Sequence, residues 1–252
     1  MRTTSAVQHE QVCSPADMWL GGLPLIQRSL MPPPVYTGGF VEAAAVIRPR
    51  RGVGGDFYDY IDTGSEFHLL LGDVCGTGTP AALQAALVQG VLAAEIQSKA
   101  GVAGVVAHLN KALCRRGPNG RFVTLFYGVM TRDRRLTYCN AGHCRPILVG
   151  RSSVRRLCVG GVPAGLLADA VYEEESVVLA KGDALVAFSD GVAEAGNPDS
   201  EFGDERILQV VSEHRESSAL TIRNRLMSLV REFTRGQHQH DDMTVLVVRH
   251  LA

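Results

Sequence analysis

The chain has 252 residues, 46% of them apolar, with 25 Lys and Arg against 26 Asp and Glu. That length holds one large domain or two small ones with a sizeable core, and a net charge of −1 excludes an acidic or basic tail protein. The same balance argues against nucleic acid or an anionic membrane as the partner.

No apolar run is long enough to span a bilayer. The first 30 residues, with Arg2, His9, Glu10, Asp17 and Arg28, lack the apolar centre of a signal peptide. Six cysteines without a Cys-x-x-Cys pair suit a reducing, cytoplasmic setting better than a disulfide framework or a zinc site.

Residues 1–26 show no periodicity and read as a loose lead. A short amphipathic piece, Ile26–Met31, stops at Pro32-Pro33-Pro34. Phe40–Ile47 and Glu66–Val74 read as strands, with a Gly-rich turn at 52–56 feeding a short strand between them. Thr79–Gln97 is Ala- and Leu-rich with Pro80 in its first turn, which predicts a helix; Val102–Cys114 predicts its antiparallel neighbour.

The character then changes. Phe122–Met130, Leu136–Asn140, Pro146–Val149, Val154–Cys158, Val171–Leu179 and Ala184–Phe188 read as strands of an antiparallel meander. Phe202–Val211 and Leu220–Phe233 predict helices, and Met243–Val248 predicts a buried closing strand. Strands and helices are segregated, which argues for an α+β layered sandwich and against a parallel α/β fold. Residues 35–252 read as one domain.

Gly76-Thr-Gly78-Thr-Pro-Ala81 matches a dinucleotide-binding fingerprint locally, but no β-α-β unit follows it. The aspartates are more informative. Asp73 and Asp190 end apolar strands, Asp56 follows a glycine pair, and Asp241-Asp242 precedes the closing strand. Carboxylates at core-strand ends are costly to desolvate unless paired or bound to a cation. Drawn together at one edge of a sandwich, they would make an oxygen-rich site for Mg²⁺ or Mn²⁺; singly, each also reads as an ordinary turn aspartate.

GGDFYD at 54–59, GDVCGTG at 72–78, NAGH at 140–143, SDGVAEA at 189–195 and DDMTVLVV at 241–248 occur together and in order. In these motifs the chain resembles the metal-dependent (PPM, type 2C) serine/threonine phosphatases, in their SpoIIE/RsbU-like bacterial branch. QRSLMPPP at 27–34 is similar to the linker helix before such domains, giving an expected division into a 1–34 lead and a 35–252 catalytic domain.

The resemblance implies a four-layer α-β-β-α sandwich and a site for two Mn²⁺ or Mg²⁺ ions. Asp73 would bridge them, Asp190 and Asp241 would complete one, and Asp56 with the Val74 carbonyl would hold the other. Asp242 and Asp59 would orient waters and ligands. The implied reaction is hydrolysis of phosphoserine or phosphothreonine by a metal-activated water, with no role for Cys75 as nucleophile. The implied substrate is a STAS-domain anti-sigma-factor antagonist, and the linker helix suggests a homodimer. A phosphatase-like binding module with little turnover is the alternative.

Thr77 departs from the family's usual Lys or His. Arg48, Arg50 and Arg51 read either as a substitute source of positive charge for a phosphoprotein or as a solvated turn. His143 reads as a structural hydrogen-bonding group or a proton donor, and His238 and His240 as an exposed loop or added ligands.

Overall fold

The computed structural model describes residues 21–96, 98, 100–116, 120–151, 153–197 and 199–251. The chain runs α1 (Leu23–Leu30), β1 (Val35–Gly38), β2 (Val41–Arg48), β3 (Phe57–Asp62), β4 (Glu66–Val74), α2 (Thr79–Glu95) and α3 (Val102–Arg116). There follow β5 (Val123–Thr131), β6 (Arg135–Ala141), β7 (Ile147–Val149), β8 (Val154–Arg156), β9 (Gly160–Gly161), β10 (Glu175–Val178) and β11 (Ala184–Phe188). The last part is α4 (Asp190–Ala193), a small hairpin of β12 (Gly196–Asn197) and β13 (Ser200–Glu201), α5 (Gly203–Glu213), α6 (Ala219–Phe233) and β14 (Met243–His250).

Two sheets stack face to face. One has the order β1-β2-β14-β11-β7-β8, the other β10-β6-β5-β4-β3, with β9 paired to β6. Every pairing is antiparallel except β6–β9. Because β4 pairs antiparallel with β3 and β5, the glycine motif at 76–81 does not open a parallel crossover unit, and the dinucleotide fold is excluded.

Side-chain alternation explains the layers. In β14, Leu246 and Val248 face the core between the sheets, while Val245 and Val247 face α5 and α6. An apolar run is required there because β14 is covered on both faces. β4 behaves likewise, with Phe67, Leu69 and Leu71 between the sheets and Leu70 and Val74 beneath α2 and α3. Each such burial contributes about 1.5–3 kcal/mol. Ala81, Ala85, Val88 and Leu92 lay one face of α2 on that outer core. The result is the expected α-β-β-α sandwich.

Besides the short α4, β9, β12 and β13, which were not expected, three elements differ from expectation. Strand β1 precedes β2 as an edge hairpin, its start set by the prolines at 32–34. The strand expected over Val171–Leu179 shrinks to Glu175–Val178, because Val171 is 81% exposed and its apolar character marks no buried face. Helix α1 begins at Leu23, with Pro24 in its first turn, rather than at Ile26. The lead up to Leu20 and the end of the expected first helix at Gln97 lie outside the described residues.

Candidate active site

Five chain segments end at one edge of the sandwich: the ends of β2, β4 and β11 and the starts of β3 and β14. The register fixes this, since Met243 opposes Arg48, Phe188 opposes Val245 and Phe57 opposes Gly72. Asp56, Asp73, Asp190, Asp241 and Asp242 all sit on these ends. The carboxylates predicted from distant parts of the sequence are therefore brought to one place.

Asp56 is buried between the sheets. It precedes β3 in one sheet, and its Oδ2 accepts a 2.6 Å hydrogen bond from the Thr244 hydroxyl on β14 of the other. Asp73 lies one residue before the end of β4. A Cβ at Gly55 would stand 2.6 Å from the Val74 carbonyl oxygen and 3.0 Å from Asp73 Oδ1. Glycine is needed there, and it lets that carbonyl and that carboxylate face one small space together.

Asp190 opens α4, and its Oδ1 accepts the Gly191 amide at 2.8 Å. A side chain at Gly191 would overlap the Asp242 carbonyl. The missing Cβ lets the start of α4 close on the 241–242 turn, which brings Asp190 beside Asp241. Asp241 is exposed, and its Oδ1 accepts the Asp242 amide at 2.8 Å. Asp242 is buried, and its Oδ1 accepts the Arg50 amide at 2.6 Å, so it ties down the 48–54 loop.

Among the described residues, none of these five carboxylates is ion-paired. Burial, followed by the charges of Asp56, Asp190, Asp241 and Asp242, pushes the Asp73 carboxyl far above its ordinary range. Burial raises Asp56 as well, against the lowering effect of its bonds from Thr244 and Ser189. Asp190 is raised by burial and then by Asp241.

Among the described residues, no three His, Cys, Asp or Glu side chains stand close enough to cage an ion as they lie. The donor set is nonetheless all oxygen, it includes the Val74 carbonyl facing Gly55, and among the described residues no basic side chain is ion-paired with its carboxylates. That chemistry fits a hard divalent cation, which keeps several waters and spans wider gaps than a dry cage.

The remaining expectations separate clearly. Asp59 does not join the cluster: its Oδ1 accepts the Tyr60 amide at 2.8 Å, and it lies on the face of β3 opposite Tyr58 and Tyr60. Burial lifts its carboxyl to about 6. His143 is buried, its Nδ1 is 2.8 Å from the Thr124 hydroxyl, and burial pushes its imidazole down to about 4. Asn140 Oδ1 accepts the His143 amide at 2.7 Å, which holds the NAGH turn.

Thr77, His238 and His240 are exposed. Sequence reading missed Thr244 and Ser189, which bond Asp56, and Thr124, whose hydroxyl lies 3.5 Å from the Asp73 carbonyl. It also missed Arg121, whose guanidinium donates to the Cys75 carbonyl at 3.1 Å. Only register could reveal them: Thr124 opposes Asp73 across β4 and β5.

Residues 63–251 match the profile of the family described as Stage II sporulation protein E (SpoIIE). The chain belongs to the SpoIIE family. Its fold is that of solved PP2C phosphatase domains.

Among relatives, phosphoserine phosphatase RsbU of Bacillus subtilis (strain 168) is 26% identical over 228 residues, covering 89% of this chain and 68% of RsbU. The SiaA-PP2C domain of Pseudomonas aeruginosa superposes with a TM-score of 0.80 at 21% identity, covering 93% of this chain and 96% of that one. RsbX in complex with magnesium gives a TM-score of 0.64 at 18% identity, covering 86% of this chain and 98% of RsbX. The fold is thus shared with these solved structures at low sequence identity.

Proposed function

We propose that this chain is a metal-dependent protein phosphatase that hydrolyses phosphoserine or phosphothreonine. The observation that carries the reading is the convergence of unpaired carboxylates at Asp73, Asp190 and Asp241 beside the Val74 carbonyl, at the edge where five strand ends meet. Asp73 would be shared by two ions, Mn²⁺ or Mg²⁺. Asp190 and Asp241 would hold one, and the Val74 carbonyl with Asp56 the other. Full burial and the bond from Thr244 favour Asp56 acting through an intervening water. RsbX, of the same fold, was crystallised with magnesium.

Bound divalent cations would supply Lewis acidity and a water acidified for attack at neutral pH. Asp73 and Asp190 would orient that chemistry toward phosphorus. Thr244 and Ser189 fix Asp56, and Asp242 fixes the loop at its flank. An attacking water needs no side-chain nucleophile, so the proposed reaction gives the Cys75 thiol no role; the amide and carbonyl of Cys75 help to hold the turn through Phe122 and Arg121.

The substrate we infer is a phosphorylated STAS-domain anti-sigma-factor antagonist in a partner-switching pathway, in keeping with the RsbU likeness. A cytoplasmic setting goes with it: Cys75, Cys114, Cys139, Cys144 and Cys158 are all free. Among the described residues no helix is long and apolar enough to cross a membrane. Leu25 and Ile26 of α1, 72% and 58% exposed, offer a face for self-association through the linker helix. The 1–34 and 35–252 division belongs to the same reading.

Phosphate release from a phosphoserine peptide with added Mn²⁺ tests it. Activity should vanish in EDTA and fall at least a hundredfold in Asp73→Asn and in Asp190→Asn, about 2.7 kcal/mol of barrier. Full turnover in EDTA, or in either variant, would end the metal reading. Metal binding without turnover would favour the binding-module alternative.

A further inference from the structure

A second charged feature lies on the other side of the 48–54 loop and is opposite in sign. A cavity of about 770 Å³ opens between α1, the prolines at 32–34, the end of β2 and α6. Arg28, Arg48, Arg223 and Arg231 line it, and among the described residues no Asp or Glu does. Among the described residues, none of these four guanidinium groups is ion-paired.

Arg223 is locked in place, donating to the Ala45 carbonyl and to Asn224 Oδ1, both at 2.7 Å. Those neutral acceptors leave its charge uncompensated. Arg48 is half-buried; burial lowers its pKa, and the facing charge of Arg231 lowers it further. Arg28 and Arg223 both act on the buried phenol of Tyr58, so all four cations surround one space. Met31, Ile47 and Met227 give that space an apolar floor. Like charges held together without a counter-ion are costly, and the arrangement makes sense if an anion completes it.

We propose that this cavity binds an organic polyphosphate: a small molecule with at least two phosphate groups on an apolar body. Guanidinium forks match phosphate oxygens in pairs. The volume of this half-open cavity is in the range of small-molecule sites. The site stands independently of the acidic centre, which would repel such a ligand in the absence of metal. The two are mechanically joined, because the loop that carries Arg48 and Gly52 into the cavity also gives Asp242 the Arg50 amide.

Calorimetry on the full chain in EDTA, with ADP and inorganic pyrophosphate as probes, tests the proposal. Both should bind, ADP at least threefold tighter, and both more weakly as salt rises. Arg28→Gln/Arg231→Gln, changed at two exposed positions, should lose at least tenfold in affinity. Ser228→Glu, which places an anion at the cavity wall, should do the same. Arg155→Gln, on a remote surface pair with Glu175, should bind as wild type. Circular dichroism melts confirm that each variant is folded. No binding at 1 mM probe, or unchanged affinity in both cavity variants, would overturn the site; equal affinity for the two probes would overturn the apolar body.

Discussion

His143 shows how a single residue is read differently once its surroundings are known. In the sequence a histidine after Asn140-Ala-Gly invites a role in proton transfer. In the fold it is buried, which pushes its imidazole down to about 4. A lowered histidine pKa contributes stability that is fully present above the unfolded value near 6.5 and is lost as pH falls toward 4. The shift is worth about 1.4 kcal/mol per unit, so about 2 kcal/mol is lost by pH 5. His143→Asn removes this term. Its stability deficit in urea melts at pH 7 should shrink by about that amount at pH 5.

The four metal-candidate aspartates were legible as a set, because Asp73 and Asp190 end apolar runs, Asp56 follows a glycine pair and Asp241 stands just before the closing strand. Their supporting hydroxyls were not. Thr244 lies inside the apolar run of β14, where a lone threonine reads as an ordinary β-branched strand residue. Only the stacking of the two sheets puts its hydroxyl on Asp56.

At the scale of elements, α1 is the instructive case. Its exposed apolar side chains suggest a free linker, yet Gln27 is buried and reaches Gly54 twice. Its Nε2 donates to the Gly54 carbonyl at 2.8 Å, and its Oε1 accepts the Gly54 amide at 3.2 Å. Gly54 adjoins Gly55, so α1 is pinned to the turn that faces Asp73 and Val74. Gln27→Ala leaves two buried backbone groups unsatisfied and should cost about 1–3 kcal/mol in a urea melt. The same variant should need more Mn²⁺ for half-maximal phosphate release while leaving KM for the peptide nearly unchanged.

Helix boundaries were close to those the periodicity gave: Thr79–Glu95 and Ala219–Phe233 against expected Thr79–Gln97 and Leu220–Phe233. Edge strands were the weak point. The β1 hairpin and the β6–β9 pair are held by backbone hydrogen bonds and a few side chains, which leave little alternation to detect.

For the whole molecule, a near-zero net charge hides two opposed fields. An acidic centre sits at one side of the 48–54 loop and an arginine cavity at the other. The acidic centre is a stability cost in the metal-free chain, since raised carboxyl pKa values mean that above the ordinary range near 4 the fold must keep protons that the unfolded chain has released. Asp73→Asn should therefore melt at or above the wild-type temperature in EDTA at pH 7.5. Added Mn²⁺ should raise the wild-type midpoint by several degrees through preferential binding to the folded state, and leave the variant unmoved. A wild-type midpoint that ignores Mn²⁺ would remove the metal from the account.

Sequence alone determined the layers, because binary pattern and segregation of strands from helices leave few ways to bury so many apolar runs. It also marked Asp56, Asp73, Asp190 and Asp241, because charge at the end of a core strand is expensive enough to be conspicuous. The tertiary structure decided what those charges meet: Thr244 on Asp56, the Arg50 amide on Asp242, and the Val74 carbonyl beside Asp73. It also gathered Arg28, Arg48, Arg223 and Arg231, which lie up to 203 positions apart and carry no shared local signal. Register and sheet stacking set such neighbours, and both depend on long-range contacts that no short window of sequence contains.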